Sequence, residues 1–472
     1  MVDLDNYNRT GASSIIETKR FSLHPLTITD VTHRYLSWLQ DEESNRFIVT
    51  ANSRHTIDTL KAYVKERMDR KDVLFFGIFL KNNGLHIGNI KFEPIDHVNG
   101  TATMGILIGE PNWRGRGAAA EVLGACAEWL YENHSITQIR LGVDRDNLSA
   151  IRAYLKSGFR IVQGINTNSG VPSALKMVRK HTPICRLALG TVQFGLPYGV
   201  ANESGQVSRI EATAILEHAW TAGIGTLDTA IAYGQSEERL GEIGIDNWRV
   251  VTKLPMMPGT CTTVEDWAWE SVKCSLNRLH INRLYGLLLH RSQQLLEPQG
   301  EELYAALLEL KEQGYVEKIG VSIYDPEELD RLYPHFKLDL VQAPFNIMDR
   351  RINASGWLAR LHRAGTEVHV RSVFLQGLLL MEAAQRPKKF DRWMPLWDSW
   401  NHWLEEQKMT PLQACLGFVL SQREIGCVVV GVDNRRQLQE ILEAAEVKVP
   451  QPPDFLQTDD LDLINPSRWN TL

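Results

Sequence analysis

Long apolar runs are missing from this 472-residue sequence. No window approaches the roughly 18 consecutive apolar residues of a membrane-crossing helix, so no membrane partner is expected. Cysteine is scarce and scattered. The six cysteines, at 126, 185, 261, 274, 415 and 427, form no C-x-x-C pair. That spacing excludes a disulfide framework and a zinc site, and no metal is expected. It suits a reducing compartment. The opening residues, MVDLDNYNRTGASS, lack an apolar signal core. Together these features set the expectation of a cytoplasmic protein. A dominant charge is also lacking, since 51 Lys+Arg stand against 57 Asp+Glu, a formal −6. So mild a balance argues against general binding to nucleic-acid backbone. Local basic pockets stay open. There is no low-complexity tract, and oligomeric state has no signature in the sequence.

What is present is ordinary globular composition, 43% hydrophobic and 23% charged, which excludes a disordered or fibrous chain. The length suits two or three domains at roughly 150 residues each, and two if one is a barrel. The pattern changes near residue 182, predicting domains 1–182 and 183–472. Upstream, helical spacing at 57–70, 117–133 and 148–157 alternates with strand-like runs. Those runs are 73–80 (VLFFGIFL), 86–92, 104–109 (MGILIG), 137–143 (TQIRLGV) and 173–180. This mixture predicts an α/β or α+β domain. Downstream, eight short apolar runs are separated by helical patterns such as 207–222, 265–280 and 301–315. The runs are 186–190, 225–230, 249–254, 284–290, 318–322, 340–344, 368–373 and 426–431. Eight β-α units predict a (β/α)8 TIM barrel. The connection at 181–184 (HTPI) is too short for a flexible tether.

In the first half, Arg114, Gly115, Arg116, Gly117, Ala118 and Ala119 lie between a strand and a helix. Glycine and alanine let backbone N–H groups approach a phosphate, and the helix directs its positive end at the same anion. The bland alternative is a tight turn with solvated arginines. A second segment, VDRDNLSAIRAYLKSGFR, places Asn147 near a strand end and Tyr154 on the same helical face as Ala150. A hydroxyl there can protonate a leaving thiolate; a core aromatic with a wet tip is the alternative.

Together the two segments resemble the GCN5-related N-acetyltransferase (GNAT) family over about residues 18–180. The segment YLSWLQDEESNRFI (35–48) looks like the branch that acetylates ribosomal-protein N-termini and amino sugars. The resemblance implies a mixed central sheet with flanking helices, and the pyrophosphate of acetyl-CoA on Arg114–Ala119. It carries Asn147 over as a cofactor contact and Tyr154 as the acid, with direct attack of an amine on the thioester. Glu93 and Glu110 are nearby carboxylates that no motif fixes as a base; a solvated surface role is expected of both.

In a barrel, chemistry sits where strands end. Asp228, Tyr233, Lys253 and His290 stand at such points on three consecutive strands. Singly they read as a turn former, an ordinary aromatic, a rim lysine and a core histidine; jointly they read as a site. Reducing a carbonyl with hydride needs an acid beside the developing alkoxide. A lysine cation favours the ionised form of a nearby tyrosine. Asp228 can hold Lys253, and His290 can orient the carbonyl oxygen.

The tetrad resembles the aldo-keto reductase superfamily over about residues 186–446, as do LGTVQFG, GVS (320–322) and VQAPFNIMDRR (341–351). The resemblance implies metal-free, NADPH-dependent chemistry with Tyr233 as acid, NADH remaining possible. It assigns Ser322 and Gln342 to the nicotinamide carboxamide, and the segment VVVGVDNRRQLQE (428–440), with Gly431, Arg435, Arg436 and Gln437, to the adenosine-phosphate end. This sequence departs from the family at Ile323, where Asn is usual, and at Arg371, before the retained Ser372, where a stacking Tyr is usual. It departs again at Asp433, which would repel a 2′-phosphate. A guanidinium can also stack on a planar ring.

Four tryptophans, Trp393, Trp397, Trp400 and Trp403, fall on one helical face after the seventh strand; packing against the barrel is the favoured reading, a substrate mouth the other. An amide-forming and a carbonyl-reducing domain in one chain suggest amino- or keto-deoxysugar substrates, nucleotide-linked, in surface-glycan synthesis. Two alternatives remain open. One is a protein acetyltransferase fused to a general aldehyde or ketone reductase. The other is a non-catalytic, cofactor-sensing barrel.

Overall fold

A computed structural model describes residues 15–41, 55–162, 174–180, 183–202, 205–259, 261 and 263–471. Of the segment 35–48, residues 42–48 lie outside this set. The chain divides into two compact units on either side of the 181/182 junction.

The first unit is an eight-stranded sheet in the order β1-β2-β3-β4-β5-β6-β8-β7. Its strands are β1 (Ile16–Glu17), β2 (Phe21–Pro25), β3 (Leu74–Leu80), β4 (His86–Asp96), β5 (Thr101–Ile108), β6 (Gln138–Asp144), β7 (Arg160–Ile161) and β8 (Ala174–Lys180). β6 alternates buried and solvent-facing residues, as expected of a strand with one covered face. Helices Ala118–His134 and Leu148–Lys156 cover the core, the first through Val122, Leu123, Cys126 and Leu130, the second through Ile151 and Tyr154. β5 and β6 are the parallel neighbours. They pair only at Thr101↔Gln138, Ala102↔Ile139 and Thr103↔Arg140. Beyond those pairs the sheet opens, with Met104–Ile108 on one side and Leu141–Asp144 on the other.

The second unit is a closed barrel of eight parallel strands. They are β9 (Leu187–Gly190), β10 (Thr226–Asp228), β11 (Arg249–Leu254), β12 (Leu284–Leu289), β13 (Val316–Ser322), β14 (Leu340–Pro344), β15 (Glu367–Arg371) and β16 (Cys427–Gly431). β9, β10 and β14 are buried at every residue. Covered on both faces, they read in sequence as continuous apolar runs rather than alternating ones. The expected barrel strand at 318–322 begins two residues earlier, and the other barrel strands lie within two residues of expectation; in the first unit β4 ends four residues later and β5 begins three earlier than expected. Strands β1, β2 and β7 were not expected from the sequence; β1 and β7 are two-residue pairings.

The tryptophan helix spans Met394–Gln407. Trp393, Trp397, Trp400 and Trp403 are all buried, so the packing reading holds. Trp393 Nε1 donates to Asp460 and Trp397 Nε1 to the Phe390 carbonyl, so neither indole leaves an orphaned donor. Among the described residues, no helix is long and apolar enough to cross a membrane, and no group of three or more His, Cys, Asp or Glu is placed to hold a metal.

Candidate active sites

At the strand-end mouth of the barrel, Asp228 closes β10, Lys253 lies near the end of β11, and His290 follows β12. Lys253 Nζ donates to Asp228 Oδ2 at 2.7 Å and to the Thr229 carbonyl at 2.9 Å. It lies 3.5 Å from the Tyr233 hydroxyl. The Tyr233 and His290 rings meet edge to face at 5.9 Å. The structure thus brings the four sequence-predicted residues together. Burial would by itself lower the Lys253 ammonium, but Asp228 and Tyr233 outweigh it and hold it above its ordinary value. Burial, then the Lys253 and Arg371 cations, push His290 down to about 4. It is therefore a neutral imidazole at pH 7.

The Tyr233 loop is fixed by backbone contact. A Cβ on Gly195 would lie 1.7 Å from the Tyr233 carbonyl oxygen, and Gly234 has φ +55°. Only glycine permits that approach. Behind it, the buried Ser236 hydroxyl contacts Thr191 and Thr229, and Thr191 Oγ1 donates to the Asp228 carbonyl. Thr191 and Gly195 lie within the LGTVQFG segment, whereas Ser236 belongs to no motif read from the sequence.

Ser322 and Gln342 sit side by side in register on β13 and β14. Gln342 Nε2 donates to Asp228 Oδ1 at 2.6 Å, joining it to the tetrad. Its Oε1 is buried without a partner among the described residues. Such an atom calls for a ligand donor, and a carboxamide N–H₂ fits. The Ile323 side chain lies in the hydrophobic core, while its carbonyl accepts from Arg371. The Arg371 guanidinium rests 4.5 Å from the Tyr324 ring centroid and donates to Ser372 Oγ. Ser372 has φ +61° and begins a segment in which Leu375, Gln376 and Gly377 are also left-handed.

At the far end of the cleft, Gly431 is followed by a helix over Arg435–Ala445. Gln437 receives the Asp433 N–H on its Oε1. Asn202 donates to the Asp433 carboxylate, and burial raises that carboxyl above its usual value. The Arg435 N–H donates to Glu211 at 2.6 Å. Arg436 pairs with Glu440 on the exposed surface.

In the first unit, the Arg114–Ala119 loop leads into its helix through Gly115 and Gly117, at φ +71° and +73°. Among the described residues no side chain caps that helix, so its first N–H groups remain available to an anion. Arg114 turns inward, donating to the Ile108 and Gly109 carbonyls and to Asp41. The loop therefore offers backbone and Arg116 rather than the Arg114 guanidinium. Arg20, which sequence reasoning missed, pairs with Glu121 at 2.7 Å and donates to the Arg116 carbonyl. Its signal is only spatial, 96 residues from the loop.

Asn147 caps the next helix by accepting from the Ala150 N–H at 3.1 Å. Tyr154 is buried, packed on Phe159, and its hydroxyl has no hydrogen-bond partner among the described residues. Burial pushes it up to about 12, which keeps it a proton donor. Both carboxylates are partly buried and ion-paired rather than freely solvated. Glu93 is 13% exposed and faces Arg67, Arg70 and Lys91. Glu110 accepts from Trp38 Nε1 at 3.2 Å and lies beside Arg34.

The family model described as "Aldo/keto reductase family" matches residues 186–460, and "Acetyltransferase (GNAT) domain" matches 20–160. The sequence is 27% identical over 261 residues to the uncharacterized oxidoreductase YqkF of Bacillus subtilis (strain 168), covering 50% of this chain and 83% of that one. It is 27% identical over 311 residues to the D-threo-aldose 1-dehydrogenase of a Pseudomonas species, covering 56% and 92%. An N-acetyltransferase 9-like protein of Caenorhabditis briggsae is 23% identical over 139 residues, covering 27% and 69%. Among solved structures, an aldo-keto reductase from Bacillus halodurans in its holo form aligns with a TM-score of 0.46 and 21% identity, covering 57% of this chain and 89% of that one.

Proposed function

Because the chain belongs to the aldo/keto reductase family and carries an acetyltransferase (GNAT) domain ahead of the barrel, we propose an enzyme with two centres. One is an N-acetyltransferase within 1–182; the other is an NAD(P)-dependent carbonyl reductase within 183–472. The two families use acetyl-CoA and nicotinamide cofactors respectively.

The observation that carries the reductase reading is the buried Lys253 cation, held by Asp228 at 2.7 Å beside the Tyr233 hydroxyl. A bound nicotinamide supplies the hydride to the carbonyl carbon, or takes it in the reverse direction. Tyr233 gives its proton to the oxygen as charge develops there. Lys253 stabilises the phenolate left behind, and Asp228 keeps Lys253 charged and aimed. Neutral His290 donates a hydrogen bond to the same oxygen. Gln342 Oε1 and Ser322 take the carboxamide, Arg371 and Ser372 flank the ring, and Gly431, Arg435, Arg436 and Gln437 take the adenosine-phosphate end. NADPH is the family default, but the carboxylates of Asp433 and Glu211 at that end oppose a 2′-phosphate. They favour NADH as a second reading.

In the first unit, the backbone of the Arg114–Ala119 loop, with Arg116, takes the pyrophosphate of acetyl-CoA. Asn147 holds the pantetheine arm at the sheet opening. A neutral amine attacks the thioester carbonyl, the C–S bond breaks as Tyr154 protonates the departing sulfur, and the proton released from the nitrogen as the amide forms restores Tyr154.

The substrate class is amino- or keto-deoxysugars, nucleotide-linked. Its support is the pairing of an amide-forming and a carbonyl-reducing chemistry, together with the aldose in the name of one relative; this is pathway and fold-level analogy. Keto- and amino-sugar nucleotides are offered to the purified chain, following NAD(P)H oxidation and CoA thiol release. Activity on them supports the class, and neither signal on any of them rejects it.

A further inference from the structure

The opposite, strand-start end of the barrel carries a second polar cluster. Side chains two or four residues apart on a strand share a face. Thr226 therefore shares the inward face with Asp228, Arg249 with Lys253, Lys318 with Ser322, and Glu367 and His369 with Arg371. Tyr285 joins them by contact. Its hydroxyl donates to Glu367 Oε2 at 2.6 Å and receives Lys318 Nζ at 2.9 Å. Lys318 also pairs with Glu367, and His369 Nε2 meets Glu367 Oε1 at 2.7 Å. Every oxygen of Glu367 is thus engaged, and Lys318 is its counter-ion.

Three polar groups in this layer are left over. Arg249 lies beside the Tyr285 ring at 5.1 Å and within electrostatic reach of Glu367 and Cys427. Its guanidinium has no hydrogen bond or ion pair among the described residues, and the residue is exposed to solvent. Thr226, opposite Arg249 in register, and His369 are at most 1% exposed. Their Oγ1 and Nδ1 atoms are buried with no partner among the described residues. Buried polar groups are rarely left so. Two cations against one carboxylate leave a positive excess at Arg249, so the missing partner is an anion. It needs oxygens that accept from a guanidinium and a hydroxyl. With Nε2 on Glu367, His369 Nδ1 is the ring nitrogen left to meet the same species.

We infer that the strand-start end of the barrel is a second ligand site, taking a phosphate group on Arg249 and Thr226. It is separate from the reductase centre, because it sits on the same strands at their other end.

The test uses the full chain saturated with CoA and NADPH, so that their phosphate subsites are filled. Inorganic phosphate is titrated by calorimetry at constant ionic strength. A single saturable event is expected, weakened at least about tenfold in Arg249→Met by loss of a charge-assisted bond. Thr226→Val removes an already unpartnered hydroxyl, so its unfolding midpoint without phosphate should equal or exceed that of the parent. Its phosphate affinity should nevertheless fall several-fold. A glucose-phosphate arm distinguishes a phosphorylated metabolite from the free ion by tighter binding. Absence of the event, or equal binding in Thr226→Val and the parent, overturns the inference and leaves the cluster a water-filled structural layer. Thr226→Val decides the matter even if Arg249→Met does not fold.

Discussion

His290 is neutral where an ordinary histidine would be half protonated. Its burial beside Lys253 and Arg371 takes it from 6.5 down to about 4. The unfolded chain binds that proton near pH 6.5, the folded one only near 4. Stability contributed by this group is therefore intact above pH 6.5 and falls as the pH drops toward 4. The reductase kcat/KM profile should accordingly show no limb near 6.5 attributable to His290. A limb near 6.5 in the parent that vanishes in His290→Gln would refute this account. Gln342 also changes meaning at this scale. It holds Asp228 with one end and, among the described residues, has an unpartnered oxygen at the other, so the proposed carboxamide contact is joined to the tetrad. Arg114 moves the opposite way, from a phosphate contact to a clamp on the preceding strand's carbonyls.

Among the elements, the turns after the barrel strands place the chemistry. Gly195 and Gly234 let the first two strand-end turns touch backbone to backbone. In Gly195→Ala the new Cβ would meet the Tyr233 carbonyl, so the loop must shift. Displacement of about 1 Å from a productive geometry costs on the order of 100-fold in rate. We expect kcat to fall by about that factor while NAD(P)H binding, followed by fluorescence, stays within about threefold. Unchanged kcat would show that the loop position is not set by this contact. The tryptophan helix illustrates the opposite case, since its rings lie in the barrel's own core.

For the whole molecule, the two proposed centres draw on separate residue sets, which makes them separable. Tyr154→Phe should lower CoA release by about 10²–10⁴ and leave NAD(P)H turnover intact, and Tyr233→Phe should do the reverse. Both are measured on the same full-length preparation. If Tyr233→Phe kept full reductase turnover, or kept the whole cellular function while cofactor still bound, the barrel would be a sensor rather than a catalyst.

The sequence by itself determined the elements that carry a local signal. The barrel strands are buried on both faces, and that requirement writes apolar runs between helical patterns. The Arg114–Ala119 loop announces itself because its left-handed backbone needs glycine at 115 and 117. Asp228, Tyr233, Lys253 and His290 were visible because strand ends recur at fixed places in a barrel. Only the tertiary structure decided which groups meet across long separations. Gln342 reaches Asp228 over 114 residues, Arg20 reaches Glu121 over 101, and Tyr285 reaches Glu367 over 82. Periodicity constrains neighbours three or four positions apart, whereas hydrogen-bond satisfaction is settled only when closure of the barrel and sheet brings distant strands side by side. The atoms of Gln342, Thr226 and His369 without a partner among the described residues belong to that second class, because pairing depends on everything that surrounds an atom.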